Sequence, residues 1–157
     1  MDADVPLEQQ ADVARGFLVG LVDAFGAQAT VTVGPIEDDT VELAVAGDDL
    51  GLLIGPKGQT LTAIQELART VVQRRTGGRN GRLLVDVAGY RKARREALAR
   101  FTRQVAEEVR ASGQARALEP MHPADRKVVH DTANEIDGVG TTSEGEEPRR
   151  RVVIAPE

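Results

Sequence analysis

The chain has no cysteine and no tryptophan, and only 3% of its 157 residues are aromatic. Without cysteine there are no disulfides and no thiolate metal sites. Scarce aromatics leave the cores to aliphatic side chains and argue against a sheet that stacks bases on aromatic rings. The two histidines, His122 and His130, are too few for most metal sites. No metal or other cofactor is expected. No apolar run approaches the ~20 residues of a membrane span, and the N-terminus lacks the pattern of a secretory leader. A soluble, cytoplasmic protein is the expectation.

The length allows one domain or two small ones, and a hydrophobic fraction of 41% supports folded cores. The net charge of −5 conceals an asymmetry. Residues 1–88 hold seven Lys/Arg against thirteen Asp/Glu; residues 89–157 hold thirteen against twelve. In the second part the cations cluster, at Arg91, Lys92, Arg94 and Arg95 and again at Arg149, Arg150 and Arg151. Local patches of this kind, more than the total, decide where phosphates bind.

The first nine residues are polar and are expected to be disordered. Val13, Phe17, Leu18, Leu21, Val22 and Phe25 recur at helical spacing, with Gly26 as the stop. Ala29 to Ile36 and Val41 to Val45 alternate around Asp38-Asp39, which predicts a β-hairpin. Asp48 or Asp49 is placed to cap a short helix ending at Ile54. A helix over about 58–75 and a strand over 83–87 follow.

Between the two helices lies Gly55-Pro56-Lys57-Gly58. Glycines at both ends allow a close backbone approach and torsions closed to other residues. The second glycine opens a helix, where free N–H groups favour an anion. Pro56 stiffens the turn, and Lys57 brings a charge that can reach a phosphate. These features describe a clamp for a sugar-phosphate backbone; a ligand-free turn joining two helices is the alternative. The turn and the order α-β-β-α-α-β around it resemble a type II KH domain over residues 10–88. The resemblance implies a base-binding groove beside the clamp, with Ile54, Leu53, Leu61 and Val45 as candidates, although aliphatic residues in such places also serve as core.

Residues 89–157 form the second domain. A helix is expected over 91–111, with Ala97, Leu98, Phe101, Val105 and Val109 as its apolar stripe and its arginines on a solvated face. Ala115 to Met121 reads as a strand. Pro123 starts another helix, in which Arg126 and His130, four residues apart, share a face. A guanidinium beside an imidazole suits an oxyanion; a surface arginine beside a partly buried histidine is the plain alternative. Residues 138–148 read as a turn-rich passage, followed by a basic strand from Arg149 to Ile154.

This second part resembles the R-three-H domain, named for an arginine and a histidine separated by three residues. Its motif maps onto Arg126 and His130, then onto Ser143, Gly145 and Arg149 to Arg151. The resemblance implies binding of single-stranded nucleic acid. A KH domain followed directly by an R-three-H domain is similar to the bacterial Jag (SpoIIIJ-associated, KhpB-type) RNA-binding proteins, here without their additional N-terminal Jag-N domain. The fold class expected is α+β, in two small domains, the second with helices packed on a small β-sheet.

The family resemblance implies a cytoplasmic RNA chaperone or post-transcriptional regulator that binds single-stranded RNA, or single-stranded DNA. It also implies a small KH-only (KhpA-type) partner, and links to cell elongation and a membrane insertase. The expected contacts are Ile54, Gly55, Pro56, Lys57 and Gly58 in the first domain, and Arg126, His130, Ser143, Gly145, Arg149, Arg150 and Arg151 in the second. Two weak sites on one chain would bind together better than either alone. The competing reading is a protein-interaction scaffold in an envelope or division complex. A phosphoesterase built on Arg126 and His130 lacks a nucleophile, paired carboxylates or a metal set, so no enzyme is expected.

Overall fold

The computed structural model describes residues 4–78 and 80–157. The chain divides into two compact units, residues 1–91 and 92–157.

In the first unit the order is α1 (Leu7–Ala24), β1 (Ala29–Glu37), β2 (Thr40–Gly47), α2 (Gly51–Ile54), a 3-10 turn (Pro56–Gly58), α3 (Gln59–Thr76) and β3 (Arg82–Val87). Helix α1 starts at Leu7, inside the segment expected to be disordered; residues 1–3 of that segment lie outside the described residues. Two contacts hold this first turn. Leu7 is buried, and the side chain of Gln10, also buried, bonds at both ends: Nε2 donates to the Val5 carbonyl at 2.7 Å, and Oε1 accepts the Gly81 N–H at 3.1 Å.

Strands β1 and β2 pair antiparallel, and β3 joins β2 in parallel, giving the order β1-β2-β3. The hairpin turns on Asp38 and Asp39 at φ 49° and 55°. Positive φ at both central residues gives a two-residue loop the twist its flanking strands require. Val31, Val41, Leu43, Val45, Leu83, Val85 and Val87 share one buried cluster with Leu18, Val22, Leu61, Ile64 and Val72 of α1 and α3.

The stripes read from the sequence are rotated in detail. Phe25 is exposed, while Ala11 and Ala14 are buried. No aspartate caps α2: its N-cap is Leu50, and no side chain bonds there.

Helix α4 (Tyr90–Ser112) opens on the last two residues of the first unit; in the second unit it is followed by β4 (Arg116–Ala117), α5 (Pro123–Ala133), β5 (Val139–Glu144) and β6 (Arg151–Pro156). The sheet is antiparallel in the order β4-β6-β5. The core joins Val105, Ala106 and Val109 of α4 to Leu118, Val129, Val139, Val152 and Ile154. On α4 the buried side runs through Thr102 and Ala106, and Phe101 is 42% exposed. Two other expectations are corrected. The strand over 115–121 shrinks to two residues, and 139–144, expected as turns, is the edge strand β5.

Candidate nucleic-acid interface

The turn of the first unit is built by steric necessity. Gly55 has φ 72° and ψ 177°. A Cβ there would lie 2.2 Å from Thr60 Oγ1. Gly58, at φ 75°, is buried, and a Cβ on it would lie 2.6 Å from Cε1 of Tyr90. Lys57 between them also takes a left-handed conformation, φ 54° and ψ 24°. A non-glycine residue there costs about 1–2 kcal/mol, and such strain gathers at binding loops.

The N–H groups of the two glycines are turned inward. Gly55 donates to the Gly51 carbonyl at 2.9 Å, Gly58 to the Gly55 carbonyl at 3.2 Å, and Gln59 to the Pro56 carbonyl. They are therefore not the anion donors expected. The turn offers instead exposed Pro56 and Lys57, set at the N-terminus of the 18-residue helix α3, where no side chain caps the backbone.

Of the groove candidates, Leu53, Leu61 and Val45 are core, each 2% exposed; Ile54 alone is half-buried. Leu52, which is not among those candidates, is 76% exposed.

In the second unit Arg126 and His130 do share a face of α5, but their polar atoms turn to the protein. Buried Arg126 donates from Nη1 to the Met121 carbonyl at 2.7 Å and from Nη2 to the Glu147 carboxylate. The half-buried His130 ring lies between two hydroxyls of β5. Nδ1 is 2.7 Å from Thr141 Oγ1, and Nε2 is 2.8 Å from Ser143 Oγ. Residues two apart on a strand point to one side, which is how Thr141 and Ser143 both reach the ring. The open arginine–imidazole face expected for an oxyanion is therefore closed by protein partners.

Gly145, at φ 87°, turns the loop between β5 and β6. Its carbonyl accepts Arg150 Nη1 at 2.8 Å, and Arg151 pairs with Glu144 at 2.6 Å. Arg149 is exposed, and no carboxylate pairs with it among the described residues. The same holds for Arg95 and Arg100 on α4. Among the described residues no group of three or more His, Asp or Glu side chains gathers where a metal could sit, and no helix is long and apolar enough to cross a membrane.

This chain matches the KH domain family of KhpA and KhpB over residues 11–85 and the R-three-H domain family over residues 96–156. A Clostridium symbiosum protein named RNA-binding protein KhpB is 34% identical over 149 residues, 94% of this chain and 67% of its own. The protein of that name in Bacillus subtilis is 32% identical over 152 residues, 96% of this chain and 70% of its own. The chain belongs to the KhpB family. A longer KhpB, from Streptococcus pneumoniae serotype 2, is 27% identical along the whole of this chain, which spans 47% of it.

The expected family and two-domain α+β layout are thus borne out for this KhpB-family chain. Two features of its candidate sites lie outside the expected residues. The hydroxyl partners of His130 sit 11 and 13 residues away on an unrecognised strand. Tyr90, which packs on Gly58, falls in the stretch expected to form the second domain.

Proposed function

We propose that this chain binds single-stranded RNA without catalysis, as an RNA chaperone or post-transcriptional regulator. The observation that carries the reading is the exposed, left-handed Lys57 in a glycine-bounded turn at the uncapped start of α3. The dipole of α3 and the lysine charge both favour a phosphate there. Ile54, half-buried beside the turn, offers an apolar edge to an unstacked base. In the second unit the phosphate contacts fall to Arg149, with Arg150 beside it. Arg126, His130, Ser143 and Gly145 contribute by holding the loop that presents them. The names of the relatives and the two matched domain families support the same reading.

The test is binding of a labelled, mixed-sequence single-stranded RNA at two salt concentrations. It compares wild type with Pro56→Asp/Lys57→Asp and with Arg149→Glu/Arg150→Glu, each checked for folding. Loss of affinity in both variants, with steep salt dependence in wild type, is expected. Equal binding by all three would remove the reading.

One observation favours a second function on the first unit, contact with a protein. Phe25 and Leu52 flank a surface cavity of about 510 Å³ also lined by Asp48 and Asp49. Such a face suits a protein surface better than a polyanion. A small KH-only partner is the candidate occupant, and Leu52→Asp should weaken its binding while leaving RNA affinity intact.

A further inference from the structure

Tyr90 is the chain's one tyrosine. Its ring is half-buried against the first core and lies against Gly58. From the position a Cβ would take on Gly58, the phenol oxygen is 3.1 Å away. The hydroxyl end of the side chain is therefore at the clamp. A tyrosine hydroxyl in a packed site usually finds a hydrogen-bond partner. Here none is found among the described residues, and the oxygen is not sealed from solvent, since the buried side-chain atom without a partner is Thr102 Oγ1.

The surroundings fix this placement. Ala88 and Gly89 turn the chain sharply at φ 52° and 65° after β3. The carboxylate of Asp86 accepts the N–H groups of Val87 at 3.0 Å and Arg91 at 3.3 Å. The guanidinium of Arg91 donates to the Val85 carbonyl and to Gln65 Oε1. Tyr90 is thus locked by the residues on both sides of it. Packing alone would be served by phenylalanine, so the hydroxyl is the part of the side chain that the fold does not use.

We propose that the Tyr90 hydroxyl is a further RNA contact, donating a hydrogen bond to a phosphate oxygen of the nucleotide held at the Gly55–Gly58 turn. This rests on the RNA-binding reading above. A neutral donor at this place adds a contact beside Gly58, the residue that follows Lys57. It also gives the second glycine a double purpose: it admits the ring, and the ring brings the donor.

The experiment measures affinity for the same labelled RNA with Tyr90→Phe and Lys57→Gln in the full chain, at several salt concentrations. Tyr90→Phe keeps the ring, so its thermal midpoint should equal that of wild type. Its affinity should fall about 3- to 10-fold, the range of one hydrogen bond of this kind. The slope of log affinity against log salt should be unchanged, because a neutral donor displaces no counterion. Lys57→Gln should reduce that slope by about 0.7, the value of one phosphate on a single strand. If Tyr90→Phe binds like wild type while Lys57→Gln is weakened, the hydroxyl contact is refuted and the RNA reading stands. If wild type itself does not bind, both fall.

Discussion

In the first unit a glycine-bounded turn pushes Pro56 and Lys57 into solvent, while in the second the motif pair Arg126 and His130 points its polar atoms at Met121, Glu147, Thr141 and Ser143. Both motifs are short, and both name their residues by spacing. The first works through the backbone: two glycines are required by contacts with Thr60 and Tyr90, and the residues between them are exposed. The second works through side chains, and its two best-known members act as internal ties. A motif's spacing says which residues share a face; it does not say whether that face looks at a ligand or at the protein.

The contrast can be broken most severely at Gly55. Gly55→Ala adds a Cβ against Thr60 at a left-handed position, and we expect a loss of about 3 kcal/mol confined to the first unit. Amide exchange should show protection falling in residues 7–87 and not in β5 and β6. Arg126→Ala comes next, at about 2 kcal/mol, felt in the second unit. If it left stability untouched and abolished RNA binding, Arg126 would be a ligand contact after all. His130→Ala removes both hydroxyl contacts and should cost about 1–2 kcal/mol by urea denaturation, because Thr141 and Ser143 are only half-buried and can turn to water. The smallest effect on the fold belongs to Arg149→Ala, within about 0.5 kcal/mol of wild type. It should nevertheless lower the salt slope of RNA binding by about 0.7, the reverse of the pattern at Arg126.

The sequence carried the fold wherever a period was strong. The hairpin showed through alternating valines and an Asp-Asp turn, and α3 and α5 through their glycine and proline boundaries. It failed at β5, whose stretch Val139 to Glu144 has a single buried residue, Val139. An edge strand with one anchored side chain has no alternation to read. It failed also at α4, where Thr102 and Ala106 take the buried side in place of Ala97 and Phe101. The turn at Gly55–Gly58 was legible as a turn, and so as a candidate site, because glycine pairs announce backbone geometry. The internal partners of Arg126 and His130 were not legible, because they depend on where distant residues return in space.

The amide of Gln10 shows that homology limits and folding limits differ. The KH family match begins at residue 11, one position after this side chain and four after Leu7. A piece that began at that limit would keep every residue of the turn and the sheet. It would lose the group that accepts the Gly81 N–H at the entry to β3, and the leucine that packs on the same glycine. The portable unit is longer than the recognisable one, and its first residues are the ones a comparison of sequences would trim away.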